Sequence, residues 1–132
     1  MNIPENLLCS PTDEYIRECG DGLYLVGITD EFLKKIGGEI IFIEVPETDD
    51  VYVKKELCAT IESDSVAVEM YMPVEGKVVE INPAFDNGYD VVNNEPLTDG
   101  WIIKVYSENL TPNDTFDLLP YYDYKKECGN IN

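Results

Sequence analysis

Short stretches in which apolar and polar residues alternate, or in which β-branched residues cluster, recur along the chain. They run from Leu23 to Ile28, Glu39 to Val45, Leu57 to Ser63, Val66 to Met72, Lys77 to Ile81 and Trp101 to Tyr106. All have strand length, most are rich in Val, Ile, Tyr or Phe, and most have Gly, Pro, Asn or Asp close by, so the pattern predicts a mostly β protein. The period changes in two places. After Thr29, the run Asp30 to Ile36 sets Phe32 and Ile36 four apart, with Asp30 and Glu31 in the first turn, Lys34 and Lys35 in the last, and Gly37 and Gly38 beyond. Thr29 can cap this run and the charges suit the helix dipole at both ends, which predicts a short helix turning Phe32 and Ile36 to the core. Near the C-terminus, Thr111 and Pro112 open one helical run, and a second follows Pro120 and stops at Gly129. These predict a helical tail over about 111–128.

Residues 38–57 and 76–97 share a Gly, a β-branched strand, a Pro-containing turn and a closing Val-x-x-Glu. Two interlocking halves of this kind predict a small sandwich or flattened barrel with a pseudo-twofold axis. The tight turn between the halves, Ser63 to Val66, should then project at one end with Ser65 exposed at its tip.

A chain of 132 residues, 44% of them apolar, has the size and the core material for one domain, 1–132, with its body over about 12–106. Charge changes the picture more. Twenty-seven acids against nine basic residues give a net charge of −18, spread over the whole chain. Such a surface repels phosphate backbones and anionic lipid, which excludes nucleic acid and membrane surfaces as partners. It favours a monomer and proteins with basic docking patches, met in a salt-sensitive encounter. No apolar run approaches the roughly 20 residues of a bilayer span, and Met1 to Ser10 holds no basic n-region, so the expected location is cytoplasmic.

Candidate chemistry is sparse. Cys9, Cys19, Cys58 and Cys128 form no Cys-x-x-Cys pair, and free thiols are expected in preference to a four-thiolate zinc site. The chain has no histidine, which removes the commonest general base and most catalytic triads, and no catalytic residue is predicted. Asp49–Asp50 and Asp86/Asp90 read as a solvated acidic face, residues 86–88 as a turn, and Trp101 and the tyrosines as core and cleft lining.

Four segments, 12–33, 40–46, 61–82 and 93–105, together resemble the H protein of the glycine cleavage system, a lipoyl-domain carrier. The most specific pieces are Val26-Gly27-Ile28-Thr29-Asp30, the Pro73-x-x-Gly76 turn, Gly100-Trp101-x-Ile103-Lys104, and the spacing from Asn82 to Trp101. The chain departs from the family at Asp13-Glu14-Tyr15, where the family has His-Glu-Trp, and at Gly37-Gly38, where it has Leu-Gly-Asp. The resemblance implies a hybrid barrel-sandwich and a shuttle that is not itself a catalyst. In that family a lysine-bound lipoyl group takes an aminomethyl group from a pyridoxal-phosphate decarboxylase to a tetrahydrofolate-dependent aminomethyltransferase, and dihydrolipoyl dehydrogenase reoxidises it.

The family's lysine lies eight residues before the proline of Pro-x-x-Gly, and that position here is Ser65. Its flanks are kept: Glu62 and Ser63 on one side, Val66 to Tyr71 on the other. Asp64-Ser65 also resembles the Asp-Lys of 2-oxoacid dehydrogenase lipoyl domains, again with serine for lysine. Lipoate ligation needs a primary amine on a long stem, whereas serine offers a weak nucleophile that would yield only an ester. The nearest lysines, Lys54, Lys55 and Lys77, lack the flanking pattern. The expectation is therefore no cofactor, an unmodified Ser65, and Glu62, Ser63, Asp64 and Glu69 as partner-recognition residues. Two other readings stand beside it. The chain is a true carrier whose group is attached elsewhere or on Ser65, for Asp64-Ser65-Val66 resembles the Asp-Ser-Leu of acyl carrier proteins, although that signature opens a helix. Phosphorylation of Ser65 would face repulsion from Glu62, Asp64 and Glu69. The resulting functional expectation is a scaffold, competitor or regulator that docks on the glycine cleavage enzymes or related ones.

Overall fold

The structure, a computed structural model, describes residues 3–129. In chain order the elements are β1 (Leu7–Cys9), β2 (Glu14–Gly20), β3 (Leu23–Ile28), α1 (Asp30–Ile36), β4 (Phe42–Glu44), β5 (Val51–Tyr52), β6 (Leu57–Glu62), β7 (Ala67–Tyr71) and β8 (Gly76–Ile81). A 3-10 turn (Pro83–Asn87), α2 (Asp90–Asn94), β9 (Ile103–Tyr106), α3 (Pro112–Thr115), β10 (Leu119–Pro120) and α4 (Tyr121–Glu127) follow. The strands form two antiparallel sheets, a larger one in the order β10-β1-β2-β3-β9-β8-β5 and a three-stranded one in the order β4-β6-β7.

The core lies between the sheets because strand alternation points one set of side chains inward. Val26 and Ile28 of β3, Ile43 of β4, Ile61 of β6, Met70 of β7, Val78 of β8 and Ile103 and Val105 of β9 are all buried there. Helix α1 adds Phe32 and Ile36 as its spacing predicts; Thr29 Oγ1 accepts from the Phe32 N–H, and Gly37 closes the helix at φ 70°. A second cluster of Leu7, Cys9, Tyr15, Leu97 and Tyr124 sits under α4. The tail is held there by polar groups: the Tyr124 hydroxyl donates to Asp13 Oδ1 at 2.6 Å and lies 2.7 Å from Thr29 Oγ1. Lys125 bridges Asp30 and Glu31.

Two glycines of the specific motifs are explained by close approach. A Cβ on Gly27 would stand 2.5 Å from the hydroxyl of Tyr15, which donates to the Pro96 carbonyl at 2.6 Å. A Cβ on Gly100 would meet the Val91 and Glu95 carbonyls at 2.5 and 2.6 Å.

Several expectations change. Residues 39–45 yield a strand only at 42–44, and Trp101 and Ile102 precede β9. The paired halves are not alike at their ends, for Val53 to Glu56 is a turn while Val92 and Asn93 lie in α2. Residues 86–88 end the 3-10 turn, Gly88 closing it at φ 101°. The aromatic residues divide: Tyr15 and Tyr124 are core, Trp101 is half-buried with the Lys104 ammonium over its ring, and Tyr106 and Tyr122 are exposed.

Candidate functional site

Strands β6 and β7 form a hairpin whose register pairs Glu62 with Ala67 and Ile61 with Val68. Its tip, residues 63–66, is fixed by one side chain. Ser63 is buried, and its Oγ accepts the backbone N–H groups of Ser65 and Val66, each at 3.2 Å. The Ser63 N–H donates to the Val66 carbonyl at 2.9 Å. This serine turn leaves Asp64, Ser65 and Val66 exposed. Ser65 contributes only an exposed bond from its hydroxyl to Asp64 Oδ1 at 3.1 Å.

Of the residues singled out for recognition, Glu62 and Glu69 lie on the outer face of the three-stranded sheet. There Phe42, Glu62 and Ala67 form one cross-strand row and Glu44, Thr60 and Glu69 the next. Asp64 is at the tip, beside Gly38. Ser63 is separated from the others in role, since its hydroxyl is spent inside the turn. The lysines are elsewhere. Lys55 sits at the far end of the hairpin, where its N–H bonds the Met72 carbonyl, and Lys54 pairs with Asp117 there. Lys77 on β8 pairs with Asp49. A lipoyl group needs an amine in the presented turn, and the turn offers a hydroxyl, so the residues present do not fit that group.

At the other end of β7 the structure brings together residues that the sequence pattern did not mark. Glu14 of β2 is fully buried; Ser10 and Thr12 donate to its Oε1, and the Tyr71 N–H donates to its Oε2 at 3.1 Å. Burial pushes its carboxyl above the ordinary range, against these three donors. The carboxylate thus bridges the two sheets. Ser10, Thr12 and Tyr71 also line a cavity of about 340 Å³ with Pro11, Met72 and Pro73. The Glu69 carboxylate beside Tyr71 pushes its phenol upward. No local pattern marked Glu14, which follows Thr12 and Asp13 in sequence and takes its donors from residues 10, 12 and 71.

The four thiols do not form one cluster, although Cys9 and Cys128 line the same small cavity. Cys9 and Cys58 are buried, where desolvation pushes each to about 12, and Cys19 and Cys128 are exposed; all are free. Among the described residues no group of three or more Cys, Asp or Glu has metal-holding geometry, and no helix is long and apolar enough to cross a membrane. Asp50 is used locally, accepting the Glu47 N–H at 3.0 Å, while Asp86 and Asp90 are exposed.

Two packed antiparallel sheets with the β6–β7 turn exposed at one end have the architecture of a lipoyl-type β-sandwich. The comparisons with known proteins make this specific. The family model of the glycine cleavage H-protein matches residues 7–131. The glycine cleavage system H protein of Pectobacterium atrosepticum is 38% identical over 104 residues, 79% of each chain. That of Listeria monocytogenes serotype 4a is 36% identical over 126 residues, 96% of this chain and 98% of its own. The chain belongs to the glycine cleavage H-protein family. The crystal structure of a glycine cleavage system H protein from Mycobacterium marinum has the same fold, with a TM-score of 0.81 over 96% of this chain and 99% of that one at 24% identity.

Proposed function

We propose that this family member carries no lipoyl arm and acts as a non-catalytic, monomeric binding protein, a scaffold or regulator that docks on enzymes of the glycine cleavage system or on related enzymes. The observation that carries the reading is the address of Ser65: it stands at the exposed tip of the presented hairpin, and the turn contains no amine. The hairpin's outer face keeps Glu62 and Glu69 but adds no basic residue in its two cross-strand rows, which suits partners with basic docking surfaces. The decarboxylase, the aminomethyltransferase and dihydrolipoyl dehydrogenase are the first candidates.

The test is an intact mass of the protein from its native cell and after incubation with lipoate, ATP and an active lipoate ligase. The expected mass is that of the unmodified chain in both. A gain of one lipoyl group on any lysine, or of any acyl or phosphopantetheine group on Ser65, would return the chain to the carriers.

A further inference from the structure

The two sheets meet along two seams, and they are treated differently. On one side Glu14 ties β2 to the Tyr71 N–H of β7. On the other, β4 pairs only with β6, and β8 only with β5 and β9, so no ladder joins β4 to β8. A groove of about 560 Å³ opens between them, lined in part by Val45, Ile81, Pro83, Phe85, Asp86 and Tyr89. Its wall is aromatic and angular. Phe85 and Tyr89 lie 5.2 Å apart at 52°, and Phe42, almost half exposed, meets Tyr89 edge-on at 6.4 Å and 83°.

The unpaired charge at this groove is acidic. Asp86 lines it and Asp90 follows Tyr89; both are exposed, and neither forms an ion pair among the described residues. Glu80, also in the lining, is already neutralised by Lys104 at 3.0 Å. No basic residue lines the groove.

We infer that this groove receives a cationic side chain, arginine in preference to lysine, presented by a partner protein. An apolar floor covers the alkyl stem, steeply inclined aromatic faces attract the cation, and Asp86 accepts from its head. A planar guanidinium both stacks on a ring and engages a carboxylate through two N–H groups, which a lysine ammonium does not. An anion would be repelled, and a purely apolar side chain would leave the carboxylates unused. Position agrees with this occupant. Phe42 pairs in register with Glu62, the last residue of β6 before the turn, so a protein seated on the tip has the groove at its edge. The inference deepens the docking part of the function proposed above and rests on it, but it is independent of whether the chain is lipoylated.

The test is an NMR titration of the nitrogen-15-labelled full chain with N-acetyl-arginine amide, with N-acetyl-norleucine amide as the apolar control. Saturable shifts are expected at residues 42–45 and 80–90, weaker for the control. Asp86→Asn changes an exposed residue and is expected to lower the affinity about fivefold, as is Phe85→Leu, which keeps bulk in the wall while removing the ring. Glu108→Gln, an exposed acid in the segment between β9 and α3, should leave the affinity unchanged. The proposal is overturned if the shifts scatter over all acidic surface, if norleucine amide binds as well, or if Asp86→Asn and Phe85→Leu bind like the parent. Such a failure leaves the arm-free reading standing, whereas lipoate found on the natural chain would remove that reading and leave the groove.

Discussion

Replacing Ser65 by lysine should restore a lipoylation substrate at almost no cost in stability. The turn is held by Ser63 Oγ, which accepts the N–H groups of residues 65 and 66, and both bonds are made to backbone and survive the exchange. What disappears is the Ser65 hydroxyl bond to Asp64, fully in solvent. An exposed substitution of this kind moves folding by no more than about 0.5 kcal/mol, and a new cation beside Glu62 and Asp64 gives back part of that. For a chain of this size that is a melting-temperature change of about 2 °C or less. The assay is paired: a thermal melt of parent and variant, then incubation of each with lipoate, ATP and lipoate ligase followed by intact mass. The expected result is one lipoyl group on Ser65→Lys, none on the parent, and superimposable melts. If the variant melts with the parent yet takes no lipoate, the hairpin has left the carrier geometry and the proposed docking on glycine cleavage enzymes loses its main support. If the variant loses more than about 2 kcal/mol, the assignment of the turn's stability to Ser63 is wrong.

The complement is Ser63→Ala, which strips two N–H groups of their acceptor and should cost about 1–2 kcal/mol by urea unfolding; a loss within error of zero would refute the turn account. Glu14 sets a pH dependence. Burial raises its folded pKa above the ordinary value of 4.5, so its contribution to stability is whole below the unfolded pKa and is lost as pH rises through the folded one. Urea midpoints followed upward from about pH 4.5 should therefore fall in the parent relative to Glu14→Gln, and parallel curves would show that Glu14 titrates normally. Gly27→Ala should destabilise by at least about 2 kcal/mol, because its methyl group meets the Tyr15 hydroxyl that Pro96 holds in place. A melt unchanged from the parent would mean that Tyr15 moves aside freely.

The strands that were legible in the sequence are those buried on one face. Strand β9 is an example: Ile103 and Val105 point in while Lys104 and Tyr106 lie half-buried or exposed, so the alternation is visible. Strand β2 was hidden because Glu14, Tyr15 and Ile16 are all buried, which erases the period of two at its start. Strands β1 and β10 were hidden for another reason. They are three and two residues long; β1 pairs with the equally hidden β2, and β10 exists through pairing with β1 across the chain, Leu8 with Pro120 and Cys9 with Leu119, a contact no local pattern announces. The closing Val-x-x-Glu of the two half-repeats was over-read. Val53 is exposed in a turn and Val92 is fully buried in a helix, so equal letters met unequal surroundings. At the candidate site, the exposed position of Ser65 was legible because a turn between two strands must leave the sheet. The buried carboxylate of Glu14 was not, since its donors come from residues 10, 12 and 71.

The division of labour inside the hairpin is what would let the fold persist without an arm, as proposed above. A side chain that both built the turn and bore the arm could not be exchanged without loss of the fold. Here residue 63 builds the turn with a buried hydroxyl, and residue 65 only displays whatever side chain it has. Folding therefore constrains Ser63 and leaves position 65 to be set by chemistry alone. The two seams between the sheets differ in the same way: Glu14 ties one, while no ladder joins β4 to β8 along the other, where Val45, Ile81, Phe85 and Tyr89 are half-buried. The fold thus rests on the buried residues, while the proposed loss of lipoylation and the proposed docking turn on a handful of exposed ones. In this chain the exposed set has a serine at the tip, flanked by Asp64, and under the function proposed above that tip is a surface that binds and not one that carries.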